Sequence, residues 1–401
     1  MNLKTSEPFW LVKNGIINSY PSLRENHETE ILVLGSGITG SLIAHQCISD
    51  GYETTLIDRR EVANGSTSAT TSMLQYEIDT PLCELKEMIG EKGAVQSYWA
   101  CYHSIDKLAE ISKNIKSKAG FMKKKSLYFA AYKKDLPDLK KEYNAREMHD
   151  FPVKWLEAAE IEKLYGLKSS FGGILSDQGG SMDAFQFSHD LLNFNQKKGL
   201  KIFDKTNIKS VVYKKSGIKA TTEFGNTISA KKIIYCNGFE SVEVVKDDFV
   251  KLLSTYALVS EQSSRLPPKF DSMLFWNTSS PYHYLRSTDD GRILVGGEDE
   301  EFINKEKRDQ LLDIKSKKLR NYVKKLLPDF DFRPDFTWAG IFGETKDGLP
   351  YIGEHPKFPG AYFVLGFGGN GITFSVIGME MLSVHLKGGS HELEEFFRFS
   401  R

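Results

Sequence analysis

Cysteine is scarce in this sequence: Cys47, Cys83, Cys101 and Cys236 are the only four, with no CxxC pair and no spacing that reads as a disulfide framework. That excludes a small scaffold stapled by disulfides and suits a reducing compartment. Long apolar runs are missing too. None approaches the roughly 18 residues from which a membrane-spanning helix is read, and residues 1–8 lack the apolar core of a secretory leader, so a soluble, cytoplasmic chain without an integral membrane segment is expected. The nine histidines show no HxxxH or paired Cys/His spacing, and no metal is expected. Charge of one sign is lacking as well: Lys plus Arg and Asp plus Glu number 53 each, which leaves no net field for nucleic acid or an anionic membrane. The lysines clustered from Lys113 to Lys125 read as a solvated helix face and turn.

What the chain does have is concentrated at two glycine-rich junctions. Near the first, the apolar run Ile31-Leu32-Val33-Leu34 breaks into Gly35-Ser36-Gly37-Ile38-Thr39-Gly40 and continues as a helical pattern into a second run, Thr54-Thr55-Leu56-Ile57, that ends in Asp58 and Arg59. This is the pattern of a dinucleotide-binding βαβ unit. Gly35 permits the tight turn, Gly37 lets the backbone approach a pyrophosphate at the helix N-terminus, and Gly40 lets helix and sheet pack closely. Asp58 stands about 20 residues beyond the glycines, the position from which an acid holds a ribose diol.

The second junction lies near the other end. Residues 361–374 run from an apolar strand into Gly366-Phe367-Gly368-Gly369-Asn370-Gly371-Ile372-Thr373 and then an apolar helix from about 375 to 386. No acid follows it in a new βαβ unit, so a second nucleotide is the weaker explanation. A helix N-terminus aimed at a flavin ring would stabilise the negative charge gained at N1 and O2 on reduction, which favours FAD over NAD. An NAD-dependent dehydrogenase would make this loop a coincidence.

Between the junctions, helices are expected over about 83–115, 155–165, 183–198 and 303–326, and strands over 127–132, 252–260, 273–276, 282–286 and 292–295, with a hairpin at Gly225-Asn226. The arm before residue 30 carries Phe9, Trp10, Ile16, Ile17, Tyr20 and Leu23, too aromatic for a free tail, and should lie against the body.

These residues together resemble the D-amino-acid oxidase family of FAD-dependent oxidoreductases, which includes glycine oxidase, sarcosine oxidase and γ-glutamylputrescine oxidoreductase. Beyond the fingerprint, Thr67-Ser68-Ala69-Thr70-Thr71-Ser72-Met73-Leu74 looks like the family's flavin-contacting turn, Gly180-Ser181-Met182-Asp183 like its helix opening, and Ile233 to Gly238 like its cofactor-covering strand. Trp338-Ala339-Gly340 resembles the segment beside the flavin, and residues 366–373 the C-terminal loop. The resemblance implies an α/β fold in which a Rossmann-like FAD-binding domain (1–87 with its arm 1–29, 176–240 and 336–401) is interleaved with an antiparallel-sheet α+β substrate domain (88–175 and 241–335). It implies noncovalent FAD held by residues 35–40, Asp58, Arg59, Thr67, Ser68, Thr71, Ser72, Met73, Ile208, Gly238, Gly340 and Gly368 to Thr373, since no cysteine follows Cys236 where sarcosine oxidases tether their flavin. The implied chemistry is hydride transfer from the carbon of a small amine or amino acid to flavin N5, giving an imine, with oxygen or another electron acceptor closing the cycle. Such a site needs no Ser/His/Asp set or carboxylate pair.

Departures from the family narrow the substrate. In amino-acid oxidising members an arginine that pairs with the substrate carboxylate follows the Trp-Ala-Gly segment; here Ile341-Phe342 takes its place, so α-carboxylate recognition is in doubt. Tyr284, Arg286 and Phe342 are the candidate pocket residues; Arg286 replaces the missing arginine if it points inward, and either Tyr284 or His283 should face the ring. Leu294 stands where sarcosine oxidases carry their oxygen-activating lysine, and Ser72 where many members have glycine. Oxidation of a hydroxy acid or polyol phosphate, and a flavin-binding role without turnover, are the alternative readings. Nothing in the sequence sets an oligomeric state.

Overall fold

The computed structural model describes residues 1–214 and 216–401. Two eight-stranded sheets carry the architecture. At the centre of the first, Lys201–Phe203, Thr54–Ile57, His27–Leu34, Thr227–Tyr235 and Ala361–Leu365 lie side by side and all parallel. The Ile38–Ser49 helix packs against Ala184–Gln196 and Gly371–Leu386. The last of these is buried along most of its length, including Ile372, Phe374, Val376, Ile377, Met379 and Leu382, and meets water at Glu380.

The second sheet runs in the order Pro334–Glu344, Lys251–Ser260, Ile293–Glu300, His283–Ser287, Met273–Asn277, Lys125–Phe129, Gly173–Ser176, Val153–Leu156. Every pairing is antiparallel except Met273–Asn277 with Lys125–Phe129. That parallel contact is where two pieces far apart in sequence meet, so no hairpin constrains their direction. The sheets thus draw on alternating stretches of chain, as the interleaved domains require. The strand Pro334–Glu344 runs across the expected boundary at 336 and belongs wholly to the second sheet.

Several expected elements divide differently, for local reasons. The helical stretch 83–115 is two helices, Leu82–Ile89 and Glu91–Asn114, split where Gly90 takes φ 83°. Residues 155–165 begin as the strand Val153–Leu156; the helix starts only at Ala158, where Glu157 and Glu160 cap its first turn reciprocally. The charged helix 303–326 breaks into Lys305–Gln310 and Leu312–Leu326. The strand expected to reach Tyr132 ends at Phe129, and the C-terminal helix begins at Gly371 rather than about 375.

The aromatic arm is part of the body. Its Phe9 and Trp10 are buried on the helix Phe9–Asn14, while Thr5 N–H donates to Ala339 O at 3.0 Å and Ile341 N–H to Leu3 O at 2.7 Å, adding an edge to the Pro334–Glu344 strand. Ile16, by contrast, is 92% exposed.

One buried charge cluster ties the pieces together. Arg146 Nε donates to Glu142 Oε1 at 2.6 Å and Nη1 to Glu77 Oε1 at 3.4 Å, with all three side chains shut away from water. Removing the cation strands two carboxylates in a low-dielectric interior. Arg146→Ala is therefore expected to lower unfolding stability by about 3–5 kcal/mol, read as a drop in the urea midpoint.

Candidate active site

A cavity of about 660 Å³ separates the two sheets, within the range of small-molecule sites. Its outer end is built by the first glycine junction. Gly35 sits at φ 104°, and a Cβ there would lie 2.5 Å from Cys236 O; one at Gly40 would lie 1.7 Å from Gly35 O. Only glycine permits this approach of turn, helix and neighbouring strand. Gly35, Gly37, Ile38 and Thr39 line the cavity, and at the helix N-terminus Ile38 N–H donates to Thr67 Oγ1 at 2.9 Å. Gly40 stands behind the wall as a packing residue.

Asp58 lines the same end, its Oδ2 accepting from Ser36 N–H at 2.8 Å and from Ser36 Oγ at 2.7 Å, its Oδ1 from Arg60 N–H at 2.9 Å. Burial pushes the carboxyl up and these donors pull it down. Ser36 itself is fully buried and orients Asp58 rather than facing the cavity. Arg59 and Arg60 also line this end, and both pair with Glu240, Arg60 Nη1 at 2.9 Å from Oε2. Ile208 and Gly238 complete it.

Further in, Thr67, Thr71, Ser72 and Met73 face the cavity, while Ser68 turns away and donates to Gly65 O at 2.9 Å. The loop is held from behind by three donors. Trp338 Nε1 reaches Ala69 O at 2.8 Å, Trp10 Nε1 reaches Thr70 O at 2.7 Å, and Arg286 Nε reaches Thr71 O at 2.7 Å. Ser72 adopts φ 52°, a left-handed conformation that favours glycine, and its buried Oγ has no partner. Asn237 Oδ1, on the opposite wall, is likewise buried and unpaired. Two orphaned polar atoms in a cavity wall fit a polar ligand.

Arg286 does not play the part the sequence suggested. It points inward, but it is 1% exposed, its guanidinium is spent on the carbonyls of Thr71, Ser287 and Met182, and it lies over the Trp10 ring at 5.4 Å. It does not line the cavity. Tyr284 and Phe342 do, as does Gly340. His283 takes the other face of its strand, stacked on Tyr322 at 4.2 Å and bonded to Glu298 at 3.3 Å. Leu294 is buried in the core.

The second glycine junction closes the inner end with Gly368, Gly369, Gly371 and Ile372. Asn370 and Thr373 brace it from within: Asn370 Nδ2 donates to Gln75 O at 3.0 Å and Thr373 Oγ1 to Asn370 O at 2.9 Å. Gly369 N–H donates to Asp79 Oδ2 at 2.8 Å. Tyr282, which lines the cavity, and Asp79 were not singled out from the sequence, and Asp79 follows no motif.

Residues 30–383 match the DAO family, described as FAD dependent oxidoreductase. The glycine oxidase of Geobacillus kaustophilus is 23% identical over 375 residues, covering 87% of this chain and 90% of that protein. Its crystal structure superposes with a TM-score of 0.76 at 18% identity, covering 92% of this chain and 96% of that one. The L-proline dehydrogenase of P. horikoshii does so equally well, at 0.76 and 18%, covering 93% and 97%. With the family matched across most of its length and the fold shared, the chain belongs to the DAO family of FAD-dependent oxidoreductases.

Proposed function

We propose that this protein oxidises the carbon–nitrogen bond of a small amine that lacks an α-carboxylate, and that the cavity between the sheets holds both FAD and that amine. The pyrophosphate would meet the N-terminus of the Ile38–Ser49 helix, where the helix dipole favours anions, and Asp58 would accept from a ribose hydroxyl. Ser72 Oγ and Asn237 Oδ1 would find in the cofactor the partners they lack. The N-terminus of Gly371–Leu386 places partial positive charge at the inner end, suited to a ring that gains electrons. Bound there, FAD supplies the acceptor for a hydride leaving the carbon next to nitrogen.

The chain's own part is positioning and exclusion of water. As the C–H bond breaks and the nitrogen lone pair forms the imine, the nitrogen must be neutral beforehand and loses its last excess proton to solvent; water then cleaves the imine. Tyr284 stays protonated, because burial raises its phenol well above neutral, so it acts as a hydrogen-bond donor and not as a base. Phe342, in the wall at the place of the family arginine, carries the substrate reading: it offers an apolar surface and no partner for a carboxylate. Only Arg59, Arg60 and Lys209 among the lining residues are cationic, and all lie toward the dinucleotide end, so a polyol phosphate or hydroxy acid has no counter-charge near the ring either.

Anaerobic addition of alkylamines to the purified yellow protein is expected to bleach the flavin band, with glycine and D-alanine much slower; faster bleaching by glycine than by every simple amine would overturn the substrate reading. Arg286→Met should free the Thr71 carbonyl and loosen the loop. About tenfold weaker flavin retention is expected, the scale of one charged hydrogen bond, measured by fluorescence of released FAD.

A further inference from the structure

The wall of the cavity is one strand thick where residues 2–5 cross it. Leu3 lines the cavity together with Arg60 and Gly65 on one side and Gly340 and Ile341 on the other, so it stands between the dinucleotide turn and the second sheet. A methyl placed on Gly65 would lie 3.6 Å from Leu3 Cδ1, which closes the gap on that side. Across the same residues lies a second pocket of about 330 Å³, lined by residues 1–6 with Arg60, Asn64, Lys305 and Asp309. Leu3 and Arg60 belong to both linings, so a single extended stretch of chain separates the two spaces.

That stretch is held lightly. Its pairing with the Pro334–Glu344 strand is one isolated bridge, Lys4 with Gly340, framed by the bonds from Thr5 N–H to Ala339 O and from Ile341 N–H to Leu3 O. Its other ties are side chains. Arg308 Nη1 donates to Asn2 O and Nη2 to Asn2 Oδ1, both at 3.1 Å, Arg60 Nη2 donates to Met1 O at 3.0 Å, and the Thr5 hydroxyl accepts from Ala339 N–H at 3.3 Å. The next residues, Ser6 and Glu7, are exposed, and beyond them the helix Phe9–Asn14 is pinned by buried Phe9 and Trp10. Ser6 and Glu7 thus join a fixed helix to a strap with open space on both faces.

We infer that residues 2–5 are a strap over the cofactor: Leu3 is a positioning residue that covers FAD between the Gly35–Gly40 turn and the Gly368–Gly371 loop, and FAD enters and leaves when the strap lifts about Ser6 and Glu7. The inference rests on the reading that this cavity holds FAD and is independent of which amine is oxidised. A dinucleotide reaching from Asp58 to the inner glycine loop runs beneath Leu3, whereas a small amine and its imine need no such opening. The strap lies outside residues 30–383, so the retention it gives is added by this chain to the family's site.

A strap differs from an ordinary contact in its kinetics. The bonds of Asn2 to Arg308 touch no part of the cavity, so they are whole in both the empty and the loaded protein and broken only during passage. Such bonds slow entry and exit alike and leave the affinity unchanged. A side chain that merely touched FAD would change its release and not its entry.

Flavin fluorescence follows FAD uptake by the apoprotein and release from the holoprotein. Asn2→Ala, at an exposed residue, removes the Arg308 bond to Asn2 Oδ1 and is expected to speed both rates about tenfold, the scale of one hydrogen bond to a charged group, with the dissociation constant unchanged. Lys4→Cys with Gly340→Cys sets two thiols at facing positions, where Cα separations of about 4.5–5.5 Å are within a disulfide's reach, and a Cβ on Gly340 meets nothing closer than Ala69 Cβ at 3.5 Å. Its oxidised form is expected to exchange FAD far more slowly than its reduced form, a comparison within one protein that cancels the effect of the substitutions. Should the cysteine pair fail to load with FAD, Asn2→Ala decides alone. Equal rates in the two redox forms, unchanged rates in Asn2→Ala, or faster release without faster uptake would overturn the strap. Asp58→Ala tests the reading beneath: weaker FAD binding there, with unchanged exchange in the strap variants, removes the strap and keeps FAD in this cavity, and unchanged FAD affinity in Asp58→Ala removes both.

Discussion

Three consecutive carbonyl groups, those of Ala69, Thr70 and Thr71, are captured by Trp338, Trp10 and Arg286, and the inner half of the cavity takes its shape from that grip. A loop of small hydroxyl-bearing residues has no packing of its own to hold it still. Here three of its acceptors are satisfied by donors from the arm and from two strands of the second sheet, leaving the other face of the loop open to a ligand. The two tryptophans and the arginine are themselves fixed as a layer: Phe9 packs on Trp10 at 4.9 Å and on Trp338 at 6.3 Å, and Arg286 covers the far side of Trp10. The N-terminal arm is thus structural to the site rather than an appendage.

The charged groups of the cavity wall gather at one end. Asp58, Arg59, Arg60, Glu240 and Glu243 line it beside the first glycine turn, while Tyr282, Tyr284 and Phe342 line the other. Neutral net charge for the whole chain conceals this division.

The βαβ unit, the second glycine junction near residue 370 and the alternation of sheet segments could all be read before any coordinates, because each depends on local rules: where glycine is required, where an apolar run ends, how far an acid lies from a turn. The helix split at Gly90 and the late helix start at Ala158 escape a periodic reading for the same kind of local reason, a positive φ and a capping pair hidden inside a continuous pattern.

The amino-acid sequence by itself determined the glycine-turn end of the cavity, since Gly35, Gly37, Gly40 and Asp58 act through spacing along one stretch of backbone. Tertiary structure alone decided the other end. Whether Arg286 meets a substrate or a carbonyl, and whether Tyr284 or His283 faces inward, depends on strand register and on contacts between residues far apart in the chain, such as Arg286 with the Thr71 carbonyl. Contacts of that kind leave no period and no motif, because the groups that make them are neighbours only after the chain has folded.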